Sequence, residues 1–173
     1  MIPILTVRQP WAWALIHGGK DVENRSRSLG HYRGPVLIHA AKAFDEEARD
    51  RASWPALRDA LALRQDAHSQ LPLGVILGVA DLTDVHDDDE GKPCSPWAEW
   101  LEHHHVFANP RALDEPIPYR GNLGLRKTSF DIAGKWLVET TDRCTCGQSG
   151  VGGPHEPGCG LEPVALLLDR TTS

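Results

Sequence analysis

Three side chains that lie close together in the sequence, Lys20, Glu23 and Arg25, could do chemistry as a set. In an extended segment Glu23 and Arg25 project to one face, two residues apart, so their simplest relation is a carboxylate–guanidinium pair. Lys20 stands where a helix gives way to that segment, before strand alternation sets its direction. From there its ammonium can hold a phosphate or polarise a carbonyl, while Arg25 offers a planar fork to a phosphate or a base edge. A buried lysine whose pKa is lowered can also serve as base or proton donor, with Glu23 activating water or orienting the lysine. The alternative is a surface lysine beside a Glu–Arg pair that only holds the fold.

Neighbouring groups could complete a pocket for a nucleobase. Arg8, Gln9 and Trp11 precede the cluster. Gln9 can pair with a base edge, Trp11 can stack, and the start of the helix offers unpaired backbone N–H groups to an anion. Gln9 and Trp11 suit structural roles equally well. Arg120, in Tyr119-Arg120-Gly121-Asn122, is a candidate phosphate contact on a loop of the kind that lines binding sites. Asp81 and Asp84 are candidates for a second carboxylate. His39 follows the apolar run Val36-Leu37-Ile38 and reads as a hydrogen-bonded core histidine. The acidic run Asp87-Asp88-Asp89-Glu90 reads as a solvated loop, because consecutive carboxylates cannot all face one ion.

A second constellation lies near the C-terminus. Cys144, Cys146, His155 and Cys159 form C-x-C-x8-H-x3-C, three thiolates and an imidazole, a sensible set for tetrahedral structural zinc. The intervening GQSGVGGP contains almost nothing able to pack into a core, so the loop stays disordered unless something such as a metal holds it. A flexible loop carrying thiols and a disulfide are the alternatives. Cys94, between Pro93 and Pro96 with only Ser95 intervening, reads as an ordinary reduced thiol.

The elements that must position these groups are legible as short segments. Ile4–Val7 reads as a strand and Gln9–His17 as a helix, with Pro10 in its first turn and Gly18-Gly19 ending it. Trp11, Ala14 and Leu15 fall on one helical face and read as core anchors. Asp21–Ser26 has strand character, and Pro35–Ala41 reads as a buried strand. Residues 45–67 carry apolar residues at helical spacing, broken by Pro55, which predicts two helices or one interrupted helix. Leu73–Val85 is the longest strand-like stretch, with Gly74 and Gly78 marking bends. Ser95–Leu101 predicts a helical turn, His103–Ala108 a strand and Pro116–Gly124 a loop. Lys135–Thr140 and Pro163–Asp169 predict closing strands. The sum is an α+β mixed barrel in a single domain over residues 1–173, with a Cys/His insertion at about 142–161.

Charge is unevenly spread. Residues 1–42 hold six basic and two acidic side chains, net +4, against net −10 in the remaining 131 residues, giving −6 for the 173-residue chain. A locally basic face on an acidic body suits selection of a ligand better than sliding along duplex DNA, which needs a concentrated positive surface. No run approaches the ~18 apolar residues of a membrane span, and the start MIPILTVRQPWAW lacks a secretory signal's basic flank and cleavage site. The expectation is a soluble cytoplasmic protein.

Gly18-Gly19-Lys20-Asp21-Val22-Glu23-Asn24-Arg25 matches G-x-K-x-x-E-x-R, the mark of the ASCH (activating signal cointegrator homology) family. LTVRQPWAWALIHGGKDVENRS, HYRGPVLIHAAK, LPLGVILGVADLTDV and NPRALDEPIPYRGNLGL resemble successive segments of that family in order, over roughly residues 4–140. The resemblance implies a PUA-like β-barrel with peripheral helices and a central cleft. It implies two kinds of function: binding of RNA, single-stranded nucleic acid or a modified nucleoside, and hydrolysis of the amide of N4-acylated cytidines. In the hydrolytic members a threonine of the catalytic set occupies the position of Glu23, so that mechanism does not transfer directly. The expected function is nucleic-acid binding through Lys20, Arg25, Arg8, Gln9, Trp11 and Arg120, with hydrolysis through Lys20 and Glu23 as the alternative. A protein-interaction module with a purely structural motif is the third reading.

Overall fold

The computed structural model describes residues 1–64, 70–87, 93–140 and 161–169. Strand β1 (Pro3–Gln9) leads through Pro10 into a short helix α1 (Trp11–Trp13) that continues as a π-helical turn over Ala14–Gly18. Then come β2 (Val22–Arg25), β3 (Gly34–Phe44), a 3-10 turn (Ala48–Asp50) and α2 (Trp54–Ala62). The remaining strands are β4 (Val75–Asp87), β5 (His103–Pro118), β6 (Arg126–Lys127), β7 (Phe130–Ala133), β8 (Trp136–Thr140) and β9 (Leu161–Asp169). They form one strongly curled sheet in the order β6-β1-β3-β4-β5-β9-β8-β7, with β2 added to β5. β1 and β3 are parallel and the other pairs antiparallel. This is the expected PUA-like mixed barrel with peripheral helices.

Strand alternation buries both faces of the central strands. Leu5, Val36, Ile38 and Ala80 pack with the helical residues Trp11–Ile16, while Ile4, Leu37, Val79 and Leu167 pack in a second cluster on the opposite face. All six residues from Trp11 to Ile16 are buried, so the helix lies inside rather than presenting the single apolar face its spacing suggested. A bulge in β4 changes which of its residues face each cluster. Ile38 pairs with Gly78 but His39 pairs with Ile76, so Leu77 is an extra residue that shifts the alternation by one. Gly78 is required there: a Cβ would collide with the Arg111 carbonyl oxygen and come within 3.1 Å of Ala112 Cα on β5.

Several expected boundaries move. Gln9 closes β1 instead of opening the helix. Pro55 lies at the start of α2, where its missing N–H is harmless, so it begins the second helix rather than interrupting one. Ser95–Leu101 makes turns without a helix. β5 extends to Pro118, into the stretch that reads as a loop. Pro110 and Pro116 both fall where its register against β4 skips, the positions at which a strand tolerates a residue without an N–H. β8 and β9 pair at Thr140 and Leu161. Cys144, Cys146, His155 and Cys159, and the insertion that carries them, lie outside the described residues. Among the described residues no helix is long and apolar enough to cross a membrane.

Candidate functional site

The junction between α1 and β2 sets the Lys20 side chain. Gly19 adopts φ 80°, a left-handed cap that a residue with a Cβ resists, and Lys20 N–H returns to the Ala14 carbonyl at 3.0 Å. The reversal turns Lys20 inward, where only 1% of its side chain is exposed. Its ammonium donates to the Val22 carbonyl and lies 3.6 Å from Glu23 Oε2. It also sits 5.4 Å from the Trp11 ring centre and 5.9 Å from that of Trp97. Burial pushes the Lys20 pKa below the ordinary lysine value, against the opposing pull of Glu23, Glu99 and Asp21.

β2 then alternates as expected. Glu23 Oε1 lies 3.3 Å from Arg25 Nε, and Arg25 Nη2 donates to the Thr6 carbonyl on β1 at 2.6 Å. The guanidinium therefore ties β2 to β1, and about a quarter of its side chain remains exposed. Asn24, between them, binds the segment before β5: its Nδ2 donates to the Trp97 carbonyl at 2.8 Å and its Oδ1 accepts from Glu99 N–H at 3.0 Å. Asp21 Oδ1 accepts from Ser95 Oγ. One short strand thus holds the cluster and the chain that closes over it.

Lys20, Glu23, Asn24 and Arg25 line a cavity of about 460 Å3. Lys20, Glu23, Arg25, Arg8 and Trp11 are brought together in its wall, and Arg8 is exposed. Gln9 is not part of it. Fully buried, it donates to the Pro72 carbonyl at 2.9 Å and accepts from Trp13 N–H at 3.0 Å, so both ends of its amide are used by the fold. Arg120 is exposed and outside the lining, although its loop supplies Asn122 and Leu123. Asp81 and Asp84 are engaged elsewhere, Asp81 with Arg111 at 3.0 Å and Asp84 with His86 at 2.9 Å.

Besides Glu23, the cavity carboxylates come from positions that the sequence did not single out. Asp45, just past β3, accepts from Trp11 Nε1 at 2.8 Å and lies 3.3 Å from Arg51 Nε. Burial alone would raise its pKa, but the bonds from Trp11 and Arg51 outweigh this and hold it below the usual range. Glu99 accepts from the backbone N–H and hydroxyl of Ser53 at 2.9 and 2.5 Å. Glu102 Oε2 is buried without a hydrogen-bond partner. The only sequence signal was the three-residue spacing of Glu99 and Glu102. The lining contains four basic side chains (Arg8, Lys20, Arg25, Arg51) and four acidic ones (Glu23, Asp45, Glu99, Glu102), so it is charge-balanced.

His39 is the core histidine expected, 1% exposed, with Nε2 3.0 Å from the Tyr119 carbonyl. His105 is a second one. It receives Leu29 N–H at Nε2 (2.9 Å) and stands 3.1 Å from the Glu23 carbonyl through Nδ1, which specifies the neutral ring protonated on Nδ1.

No curated protein matches the chain. The family model of the ASCH domain matches residues 5–143, from within β1 to beyond β8, and includes every residue of the cavity wall. The chain belongs to the ASCH domain family.

Proposed function

We propose that the protein binds RNA, taking one unstacked nucleotide of a single strand, or a modified nucleoside, into the Lys20–Glu23–Arg25 cavity. The observation that carries this reading is the charge balance around a buried Lys20 flanked by two indole rings. A wall in which four cations face four carboxylates offers no net attraction to a polyphosphate track but suits a neutral ligand rich in donors and acceptors, which describes a nucleobase. The volume of about 460 Å3 falls within the range of about 300–1,000 Å3 typical of small-ligand pockets. Arg8, exposed at the wall, is placed to meet an adjoining phosphate. A base inside a duplex cannot reach such a cleft, so single-stranded or extruded nucleotides are the favoured form.

Fluorescence anisotropy with a short labelled single-stranded RNA at several salt concentrations tests this. Arg8→Ala should weaken binding and lower the salt slope by about one released counterion. Lys20→Met should weaken binding with the slope unchanged, because its buried ammonium meets no phosphate. Equal affinities for wild type and both variants would overturn the proposal.

A second reading, amide hydrolysis of an N4-acylated cytidine or related nucleoside, is favoured by one observation: Glu102 Oε2 lacks a partner in the wall that also holds a lysine of lowered pKa. Glu102 would draw a proton from water attacking the acyl carbon. Lys20, oriented by Glu23, would protonate the leaving amine, releasing cytidine and the carboxylate. Incubation with N4-acetylcytidine tests it: cytidine release that disappears in Glu102→Gln supports it, and no release by wild type removes it. The Cys144, Cys146, His155 and Cys159 set is proposed as structural zinc within an insertion on the same domain.

A further inference from the structure

We infer that His86, Cys94 and His104, none of which lines the cavity, form a binding site for a divalent transition metal of the zinc class. One ligand atom from each residue can be chosen so that all three lie within 4.8 Å of one another. The sheet sets two of them. His86 on β4 pairs directly with His104 on β5, and their rings stand perpendicular with centres 5.4 Å apart. Cys94 Sγ reaches the same point from the segment before β5, 3.4 Å from His104 Nδ1.

The outer partners of both histidines supply an independent argument. His86 Nδ1 lies 2.9 Å from Asp84 Oδ2, and His104 Nε2 lies 2.8 Å from the Glu99 carbonyl. Both oxygens are acceptors, so each neutral ring places its proton on the nitrogen bonded to that oxygen, and in His104 the other nitrogen is the one that faces Cys94. His86 Nε2 and His104 Nδ1 are left with lone pairs to offer a metal. Carboxylate or carbonyl bonds that hold the far nitrogen are the usual support of metal-binding histidines. With metal–sulfur bonds of about 2.3 Å and metal–nitrogen bonds of about 2.0–2.1 Å, tetrahedral ligand atoms stand roughly 3.3–3.6 Å apart. The Cys94–His104 separation already meets this, and the rest requires a movement of about an ångström by side chains at the surface: Cys94 is exposed and the His86 side chain is 31% exposed.

Two imidazoles and a thiolate favour zinc, or cobalt as its surrogate, over the oxygen-seeking magnesium and calcium. On binding, the thiol loses its proton to solvent and the ion keeps a fourth position for water. The site is joined to the cavity wall through His104, which pairs with Asn24 of β2 and reaches Glu99. His104 holds the Glu99 carbonyl, and the Glu99 carboxylate holds Ser53, so a bound metal braces the wall that carries Glu99 and Glu102 whatever the cavity takes up.

Cobalt titration of the full chain tests the site. In a Cys144→Ser, Cys146→Ser, Cys159→Ser variant Cys94 is the only thiol left. That protein should take up one equivalent of Co2+ with a thiolate-to-cobalt charge-transfer band. Adding Cys94→Ser should abolish the band, and adding His86→Gln should weaken binding at least about tenfold. As a check that does not depend on folding of the triple variant, Cys94→Ser in the otherwise native chain should bind one equivalent fewer than wild type. Absence of uptake or of the band, affinity unchanged by His86→Gln, or equal stoichiometry in that check would overturn the inference.

Discussion

Lys20 Nζ and Glu23 Oε2 lie 3.6 Å apart with their side chains 1% and 10% exposed, so two of the family motif's three charged positions form a buried ion pair. Removing one partner strands the other charge in a medium that solvates it poorly. Glu23→Gln should therefore destabilise the fold by about 3 kcal/mol, while Lys20→Met together with Glu23→Gln should recover part of the loss. Urea unfolding of the two single variants and the double variant measures the coupling. Simple additivity would show that the pair contributes nothing as a pair.

Glu99 joins the two sides of the cavity by accepting from Ser53 N–H and Oγ and from Ala52 N–H. Ser53 is 1% exposed, so its donors cannot turn to water instead. Glu99→Ala should cost about 2 kcal/mol and Ser53→Ala about 1 kcal/mol, because the first leaves more donors unpaired than the second. Thermal or urea unfolding checks the order, and a reversed order would contradict this account.

Gly78 stands at the β4 bulge directly against the β5 backbone, which cannot yield as the end of a side chain can. Gly78→Ala should destabilise by about 3 kcal/mol, the upper end of what overpacking costs. Gly30→Ala is the informative comparison. A Cβ at Gly30 meets nothing within 4 Å, but φ there is +79°, so that variant reports backbone strain without collision. It should lose about 1 kcal/mol in the same unfolding assay.

Burial holds the His39 pKa below the ordinary histidine value, with the Tyr119 and Gly74 backbone bonds opposing. The unfolded chain therefore takes up its proton at higher pH than the folded one. Stability from neutral His39 is complete above about pH 6.5 and is lost as the pH falls from there through the lower folded value. His105 is shifted the same way, mainly by burial, so wild type alone does not separate the two. The urea midpoint should be lower at about pH 5.5 than at about pH 8, with a smaller gap in His39→Gln. An unchanged gap would assign the effect to His105.

The family, the barrel and the Lys20–Glu23–Arg25 cluster were legible in the sequence because they depend on local order. A fixed motif spacing, glycines that end a helix and alternation along strands are all written within a few residues. Trp11 and Arg8 were legible as neighbours of that motif. Gln9 misled because a glutamine before a helix can face a ligand or cap the helix, and only the position of Pro72, 63 residues away, settles which. The same holds for Arg25, whose fork is partly committed to the Thr6 carbonyl. Asp45, Arg51, Trp97, Glu99 and Glu102 reach Lys20's surroundings from separate segments, and side chains at such separations carry no periodic signal of one another. The sequence alone determined which residues begin the site. Only the tertiary structure decided that Lys20 is buried, that four carboxylates balance four cations, and that His86 meets His104, because burial and cross-strand register are properties of the closed sheet rather than of any segment in it.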